Sequence, residues 1–179
     1  NESGDVMSKD SNSEKKWDQE FDLVVLGSGI AGLTTALTSA LEGMNTLLIE
    51  HSSKIGGTSA RSSGTVWIPN NAFIKDSGDN EDAEKAMTYL DNLVGDRADR
   101  ELRKIFVDTG PELLEYLSKK TDITFSSFPF HPDYHQDIPG AAEGGRPLDP
   151  QPFDGRKLGK EFDNIGWPLN ELMLFGGMM

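Results

Sequence analysis

Followed by its apolar and polar positions, the chain is almost wholly polar through residue 20 and then turns abruptly hydrophobic. Phe21 to Leu26 is a short run ending in Gly27, with three aliphatic residues following Leu23. Lost polar alternation of this kind predicts a buried, parallel strand covered on both faces. From Ile30 the period changes. Ile30, Leu33, Leu37 and Leu41 recur at spacings of three and four, which predicts one apolar helix face. Ala31, Gly32, Ala36 and Ala40 keep that helix slim enough to lie close to a sheet, and Gly43 supplies its stop. Thr46 to Ile49 reads as the next strand, with Glu50 at its carboxyl end.

Residues 51 to 71 are rich in Gly, Ser and Thr and predict an ordered loop. Two helices are expected next. Glu81 to Leu93 has an apolar edge of Met87, Leu90 and Val94; Asp99 to Lys119 has one of Leu102, Ile105 and Phe106. Gly110-Pro111 could break the second. Ile123 to Phe128 is a candidate strand. From Pro129 to Gly166 the chain is dense in Pro, Gly and charge, which predicts a long irregular excursion over the surface. Long ordered loops are usually functional or part of an inserted domain.

Charge and composition narrow the partners. Thirty acidic against 17 basic residues give a formal charge of -13, a surface that repels nucleic-acid phosphates and anionic headgroups, so no nucleic acid is expected. Cysteine is absent, which excludes disulfides and thiolate chemistry. The three histidines, His51, His131 and His135, have no metal-ligand spacing with carboxylates, and no metal site is expected. No stretch approaches the roughly 18 apolar residues of a transmembrane segment. Residues 1 to 20 contain no apolar h-region, so no signal peptide is visible and a cytoplasmic location is the expectation.

Gly27-Ser28-Gly29-Ile30-Ala31-Gly32 matches G-x-G-x-x-G, a weak pattern by itself. Here it follows a predicted strand and opens a predicted helix, where the chemistry needs it. Gly27 permits the tight turn, Gly29 lets backbone approach a pyrophosphate, and Gly32 lets helix and strand pack closely. The helix N-terminus then offers N–H donors and partial positive charge to phosphates. Glu50, at the end of the second strand, is placed to accept hydrogen bonds from a ribose. The competing reading is a βαβ unit whose glycines only make turns.

An acidic ribose partner argues against NADP, whose extra phosphate it would repel. FAD is favoured by Ile55-Gly56-Gly57-Thr58-Ser59-Ala60-Arg61-Ser62-Ser63-Gly64, a stretch able to run backbone along an extended cofactor toward its flavin end. The bland alternative is a flexible Gly/Ser linker, against which Trp67-Ile68-Pro69 speaks.

These residues, with Trp67-Ile68-Pro69-Asn70, Thr88-Tyr89-Leu90, Pro132-Asp133-Tyr134, Gly144-Gly145-Arg146 and Pro152 to Gly159, resemble the 3-ketosteroid dehydrogenases of the fumarate reductase/succinate dehydrogenase flavoprotein superfamily. The resemblance covers nearly everything after residue 20. It implies an α/β, Rossmann-type FAD-binding domain with a mostly parallel sheet, incomplete here and leading into a catalytic domain outside this chain. Residues 1–20 would be a flexible tail, 21–128 the first part of the FAD domain, and 129–179 the excursion toward the catalytic domain. Gly27 through Gly32 would line the pyrophosphate and Glu50 the adenosine ribose. Gly56, Gly57, Thr58, Ser59, Ser63, Gly64 and Thr65 would run toward the flavin. In the family, hydride leaves a carbon beside a ketone for flavin N5 while a tyrosine removes the neighbouring proton, and an external acceptor takes the electrons. Tyr134 matches a second tyrosine near that base. The family's following tyrosine and Pro-Glu are here His135 and Gln136-Asp137, a departure that bears on the substrate more than on the cofactor. Two other readings stay open: a fumarate-reductase-like flavoprotein, and a catalytically silent nucleotide-binding module.

Overall fold

A computed structural model describes residues 17–174, apart from 77 and 80, together with 177 and 178. Most of the expected polar tail therefore lies outside the described residues.

The first unit is a strand, a helix and a strand. β1 (Leu23–Leu26) runs into α1 (Ile30–Leu41) through the glycine turn, and α1 returns to β2 (Thr46–Ile49). β1 and β2 pair in parallel, Leu23 opposite Thr46 and Leu26 opposite Ile49. Ser39 of α1 and Thr46 of β2 share a hydroxyl–hydroxyl bond of 2.6 Å that docks the helix on the sheet. These three elements fall at the positions their sequence periods predict, β1 being shorter by two residues.

The covering of β1 differs from expectation. Val25 is buried, but Val24 and Leu26 are 49% and 79% exposed, and Ile49 beside them is 45% exposed. Strand side chains alternate between faces, and only the face carrying Val25 is closed over. A run of aliphatics reports that both faces are apolar, not that both are covered within the described residues.

The second unit is a three-stranded antiparallel sheet flanked by helices. β3 (Val66–Trp67) and β4 (Phe125–Ser127) both pair with β5 (Pro147–Pro150), which lies between them. α2 (Ala72–Asp76), α3 (Asp82–Val94) and α4 (Arg100–Lys120) fill the stretch from β3 to β4. Ile74, Ala86, Tyr89, Val107, Leu117 and Leu148 form the buried core, so the packed centre of the chain sits here. The fold is α/β, with one parallel and one antiparallel sheet of this kind, plus a short antiparallel pair, β6 (Met173–Leu174) with β7 (Gly177–Met178).

Three local expectations are corrected. α4 runs unbroken through Pro111 for 21 residues, capped by the Asp99 carboxylate on the Glu101 N–H at 2.9 Å. Proline has no N–H, so the ladder lacks that one bond, and the helix continues on the turns to either side. Its buried positions are Val107, Gly110 and Leu117, whereas Leu102, Ile105 and Phe106 are 65%, 54% and 41% exposed. A Cβ on Gly110 would come within 3.0 Å of Ile68 Cγ2, so the helix approaches the core through its smallest residue, not its most apolar edge. The Pro/Gly-rich segment also does not stay on the surface: it supplies β5, with Arg146 and Leu148 fully buried. A 3₁₀ stretch, Gly155–Asn164, then brings the chain back to the first unit, where Ile55 N–H bonds Asn164 O and Gly166 N–H bonds Ile55 O, both at 2.8 Å.

Candidate functional site

The glycine corner is assembled from three loops. Gly27 takes φ +92°, a left-handed conformation open to glycine, and its N–H bonds Ile49 O at 2.7 Å. A Cβ on Gly32 would stand 1.9 Å from Gly27 O, so α1 can sit this close to the turn only without a side chain there. At Gly29 the opposite holds. A Cβ would meet nothing within 4 Å, leaving open room beside the backbone. Gly29 caps α1, and the first turn of the helix carries no acidic residue, so no carboxylate of the helix itself stands at its positive end.

Ser28 is fully buried and ties the corner together. Its N–H donates to Glu50 Oε2 at 2.9 Å and its hydroxyl donates to the same oxygen. Gly56 N–H reaches both Ser28 O at 3.0 Å and Ser28 Oγ at 3.1 Å. Ser52 N–H donates to the other carboxylate oxygen, Oε1, at 2.9 Å. The Ser28 hydroxyl, followed by the Ser52 and Ser28 N–H groups, brings the Glu50 carboxyl down from 4.5 to about 2. Glu50 is thus a fixed anion at the end of β2. Ser59 Oγ accepts the Ile30 N–H at 3.2 Å, and Gly57 lies against Gly29. Thr58 precedes the 3₁₀ turn Ser59–Arg61 and lines, with Gly57, Lys54 and Arg61, a cleft of about 240 Å³.

Ser63 and Thr65 gather elsewhere, on a larger cleft of about 540 Å³ that Tyr134 also lines. Thr65 Oγ1 bonds Asp149 Oδ1 of β5 at 2.7 Å and Ser63 Oγ at 3.1 Å; Gly64, between them, lies against Pro150. Trp67, Leu90, Leu93 and Pro132 give this cleft apolar walls. Tyr134 is 86% exposed at its rim. His135 sends its N–H to Tyr89 Oη at 3.4 Å, and its side chain is exposed. The site residues read from sequence therefore form two groups: Gly27 to Gly32 with Glu50 and residues 56 to 59, and Ser63 to Thr65 with Tyr134.

Sequence reasoning missed the buried ions beneath the second group. Arg146, fully buried, sends Nε to Asp82 Oδ1 at 2.9 Å and Nη1 to Asp133 Oδ2 at 2.5 Å. Trp67 Nε1 donates to Asp133 Oδ1 at 2.7 Å, and Asn70 N–H to Asp82 Oδ2 at 2.6 Å. The guanidinium also lies over the Trp67 and Tyr89 rings, 5.6 and 6.0 Å from their centroids. No residue spacing announces such a set. Ser52 was missed as well, though a hydroxyl residue two positions after a strand-end acid is a signal for a tight turn.

Comparison with known proteins places this geometry. Residues 22–171 match the family described as FAD binding domain, and the chain belongs to that family. It is 43% identical over 147 residues to the 3-oxosteroid 1-dehydrogenase of Mycobacterium tuberculosis (strain ATCC 25618 / H37Rv), covering 82% of this chain and 26% of that protein. It is 39% identical over 131 residues to the 4-oxocyclohexanecarboxylate 2-dehydrogenase of Sinomonas cyclohexanicum, covering 73% and 23%. Among solved structures, the 3-ketosteroid Δ1-dehydrogenase from Sterolibacterium denitrificans, in complex with 1,4-androstadiene-3,17-dione, superimposes with a TM-score of 0.76 at 35% identity, over 87% of this chain and 28% of that one. The likeness expected from the motifs is thereby shown. The chain spans about a quarter of the length of the relatives it matches. No helix among the described residues is long and apolar enough to cross a membrane.

Proposed function

We propose that the complete protein is an FAD-dependent dehydrogenase that desaturates the bond α,β to a ring ketone, with a 3-ketosteroid as substrate. The observation that carries this reading is the glycine corner, where open space beside Gly29, the N-terminus of α1 and an ionised Glu50 lie together. That donor and acceptor set fits FAD: diphosphate on the backbone of Gly27 to Gly32, ribose hydroxyls on Glu50, and the flavin end toward Ser63, Gly64 and Thr65. β1, α1 and β2 are read as the opening of a Rossmann-type, mostly parallel sheet. On this reading residues 21–128 begin the FAD domain and 129–179 lead toward the substrate.

The names of the relatives support the bond assigned. Position 1 relative to a ketone at 3, and position 2 relative to a ketone at 4, both lie β to a ring carbonyl. FAD, when bound, supplies a hydride acceptor at flavin N5. The residues of this chain hold it, and the walls formed by Trp67, Leu90 and Leu93 receive a flat apolar ring system and keep water from it. Tyr134 acts at the rim, its phenol donating a hydrogen bond to the principal base or passing the abstracted proton to solvent. The electrons removed from the substrate go on to an external acceptor.

4-Androstene-3,17-dione, which carries two hydrogens more than 1,4-androstadiene-3,17-dione, is the test substrate. Added without oxygen to the full-length flavoprotein, it should bleach the flavin and yield the diene. In turnover with a redox dye, Tyr134→Phe should lower kcat on the order of ten- to ten-thousandfold while FAD content holds. A flavin that steroids leave oxidised, but that an unsaturated acid reoxidises after chemical reduction, would replace this reading with the fumarate-reductase-like one. Bound flavin inert to both classes would leave a nucleotide-binding module.

A further inference from the structure

We infer that the buried Asp82–Arg146–Asp133 cluster, with the Trp67 indole, is a positioning device for Tyr134, and that it sets turnover rather than cofactor binding. The inference rests on the role given to Tyr134 above and says how that phenol is held.

Tyr134 is an exposed residue whose two neighbours in the chain are each held by hydrogen bonds. Asp133 has its carboxylate filled by three donors: Trp67 Nε1 at 2.7 Å, Arg146 Nη1 at 2.5 Å and Ala142 N–H at 2.9 Å. Its backbone is held as well, since Asp133 N–H bonds Ala142 O at 2.9 Å and Gln136 Nε2 bonds Asp133 O at 3.0 Å. On the other side, His135 N–H reaches the Tyr89 hydroxyl. Arg146 carries this hold into the core, because its Nε donates to Asp82 Oδ1 at the start of α3 and its Nη2 stands 2.9 Å from the same oxygen as an ion pair without a hydrogen bond. The two aspartates and one arginine leave an excess negative charge, which the α3 N-terminus and the Asn70 and Ala142 N–H groups offset.

Burying three ions is poor economy if stability were the object, since apolar residues of like volume often serve as well. Directional bonds do what apolar packing does not: they fix one orientation of the loop. Arg146 supplies a planar fork whose arms meet carboxylates from two elements, and Trp67 adds a third direction. The cluster backs the wall of the 540 Å³ cleft, for Trp67, Tyr89, Asp133 and Tyr134 all line it. A phenol whose main-chain mount is fixed on both sides keeps its hydroxyl in reach of a reacting proton, and small misplacements are costly in rate.

Replacing Arg146 strands two buried carboxylates and can prevent folding, so the deciding variant is Trp67→Phe. It removes one donor to Asp133 and leaves a ring to pack against Phe106, which lies stacked on Trp67 at 6.2 Å. Full-length holoenzyme carrying Trp67→Phe, Tyr134→Phe or both is assayed with 4-androstene-3,17-dione and a redox dye, with FAD content measured from absorbance. Trp67→Phe should lower kcat roughly tenfold, the equivalent of one hydrogen bond to a charged group, with FAD content nearly unchanged; any shift in KM belongs to the part of Trp67 that walls the cleft and is read separately. The double variant should be no slower than Tyr134→Phe, because positioning has no effect once the hydroxyl is gone. A double variant slowed by the product of the two single effects would overturn the positioning role while leaving Tyr134 in the chemistry. So would normal kcat in Trp67→Phe, or a change in KM or FAD content alone. Normal kcat in Tyr134→Phe would instead remove the underlying reading, and the positioning role with it.

Discussion

Around Gly27 to Gly57 the loops are fixed by main-chain N–H groups, received by carbonyls and by the side chains of Ser28, Glu50 and Ser59. Gly27 bonds β2, Gly56 bonds Ser28, and Gly32 admits the helix. Around Arg146 the loops are fixed by side chains that come from residues 67, 82, 133 and 146. Among the described residues, the first region has one well-buried aliphatic, Val25, and leaves Leu26 79% exposed, and the second holds the other buried hydrophobic residues. On the proposed reading, the contrast follows from what each would have to present. A dinucleotide is bound by N–H groups and a helix end, which need small residues and open space. A reacting phenol needs a stiff mount, and a stiff mount needs a packed core with directional bonds.

The largest effect is expected from breaking the second region at its centre. Arg146→Met should destabilise the protein by about 3–5 kcal/mol, since two carboxylates at the core would lose their shared cation. Chemical denaturation monitored by circular dichroism measures this. A loss under about 1 kcal/mol would mean that the ion cluster does not organise the packed half.

Gly32→Ala attacks the first region through a single methyl group. With Gly27 O only 1.9 Å from the added carbon, either α1 or the turn must move. The expected cost is at or above the upper end of about 1–3 kcal/mol, and it should be accompanied by loss of FAD. Gly29→Ala offers the sharper contrast: its Cβ clashes with no protein atom, so stability should hold while FAD affinity falls. Flavin retention at the wild-type level in Gly29→Ala would show that the corner does not cradle the diphosphate.

The same contrast decides what could be read from the sequence. β1, α1, β2 and Glu50 lie within 28 consecutive residues, and each rule that finds them is local: period, turn glycine, strand-end acid. The Arg146 cluster joins residues 64 and 13 positions apart, with no periodicity to announce it. Gly144-Gly145-Arg146 was visible as a family resemblance, yet nothing in those three residues tells that the arginine is buried. β5 was hidden for a related reason, because Pro147 and Pro150 at its ends read as loop. The misassigned face of α4 has a different origin. Leu102, Ile105 and Phe106, the apolar edge expected to pack, remain exposed, while Val107, Gly110 and Leu117 face the core, so the apolar count of a face did not identify the side that packs.

Glu50→Ala should weaken FAD binding by about tenfold to a hundredfold, the range for losing a charged acceptor from a ligand hydroxyl, with the sheet intact. Glu50→Gln keeps a carbonyl oxygen and should retain part of the affinity. Equilibrium titration of flavin fluorescence separates the three proteins. Equal affinities would take the ribose away from Glu50.

Ser28→Ala is expected to have the smallest effect, and it separates the backbone of the corner from the hydroxyl that latches Glu50. Without the hydroxyl, Glu50 Oε2 still has the Ser28 N–H, and Gly56 N–H still has Ser28 O. Near neutral pH the loss in FAD affinity should therefore stay below about tenfold, the worth of a single hydrogen bond. Acid should bring out the difference. Glu50 titrates at about 2 instead of 4.5, with the Ser28 hydroxyl as the leading cause. A depressed pKa means that the contribution of the ionised group is complete above 4.5 and is lost as pH falls toward 2. Removing the hydroxyl raises the Glu50 pKa back toward 4.5, so the carboxylate of the variant becomes protonated earlier as pH falls. Its FAD should then be released at a higher pH than that of the wild type, followed as the rise in free-flavin fluorescence. Glu50→Gln has no carboxylate to titrate and should show neither displacement. If Ser28→Ala and wild type released flavin at the same acid midpoint, the latch would have no part in holding Glu50 ionised, and main-chain donors alone would account for the anion at the end of β2.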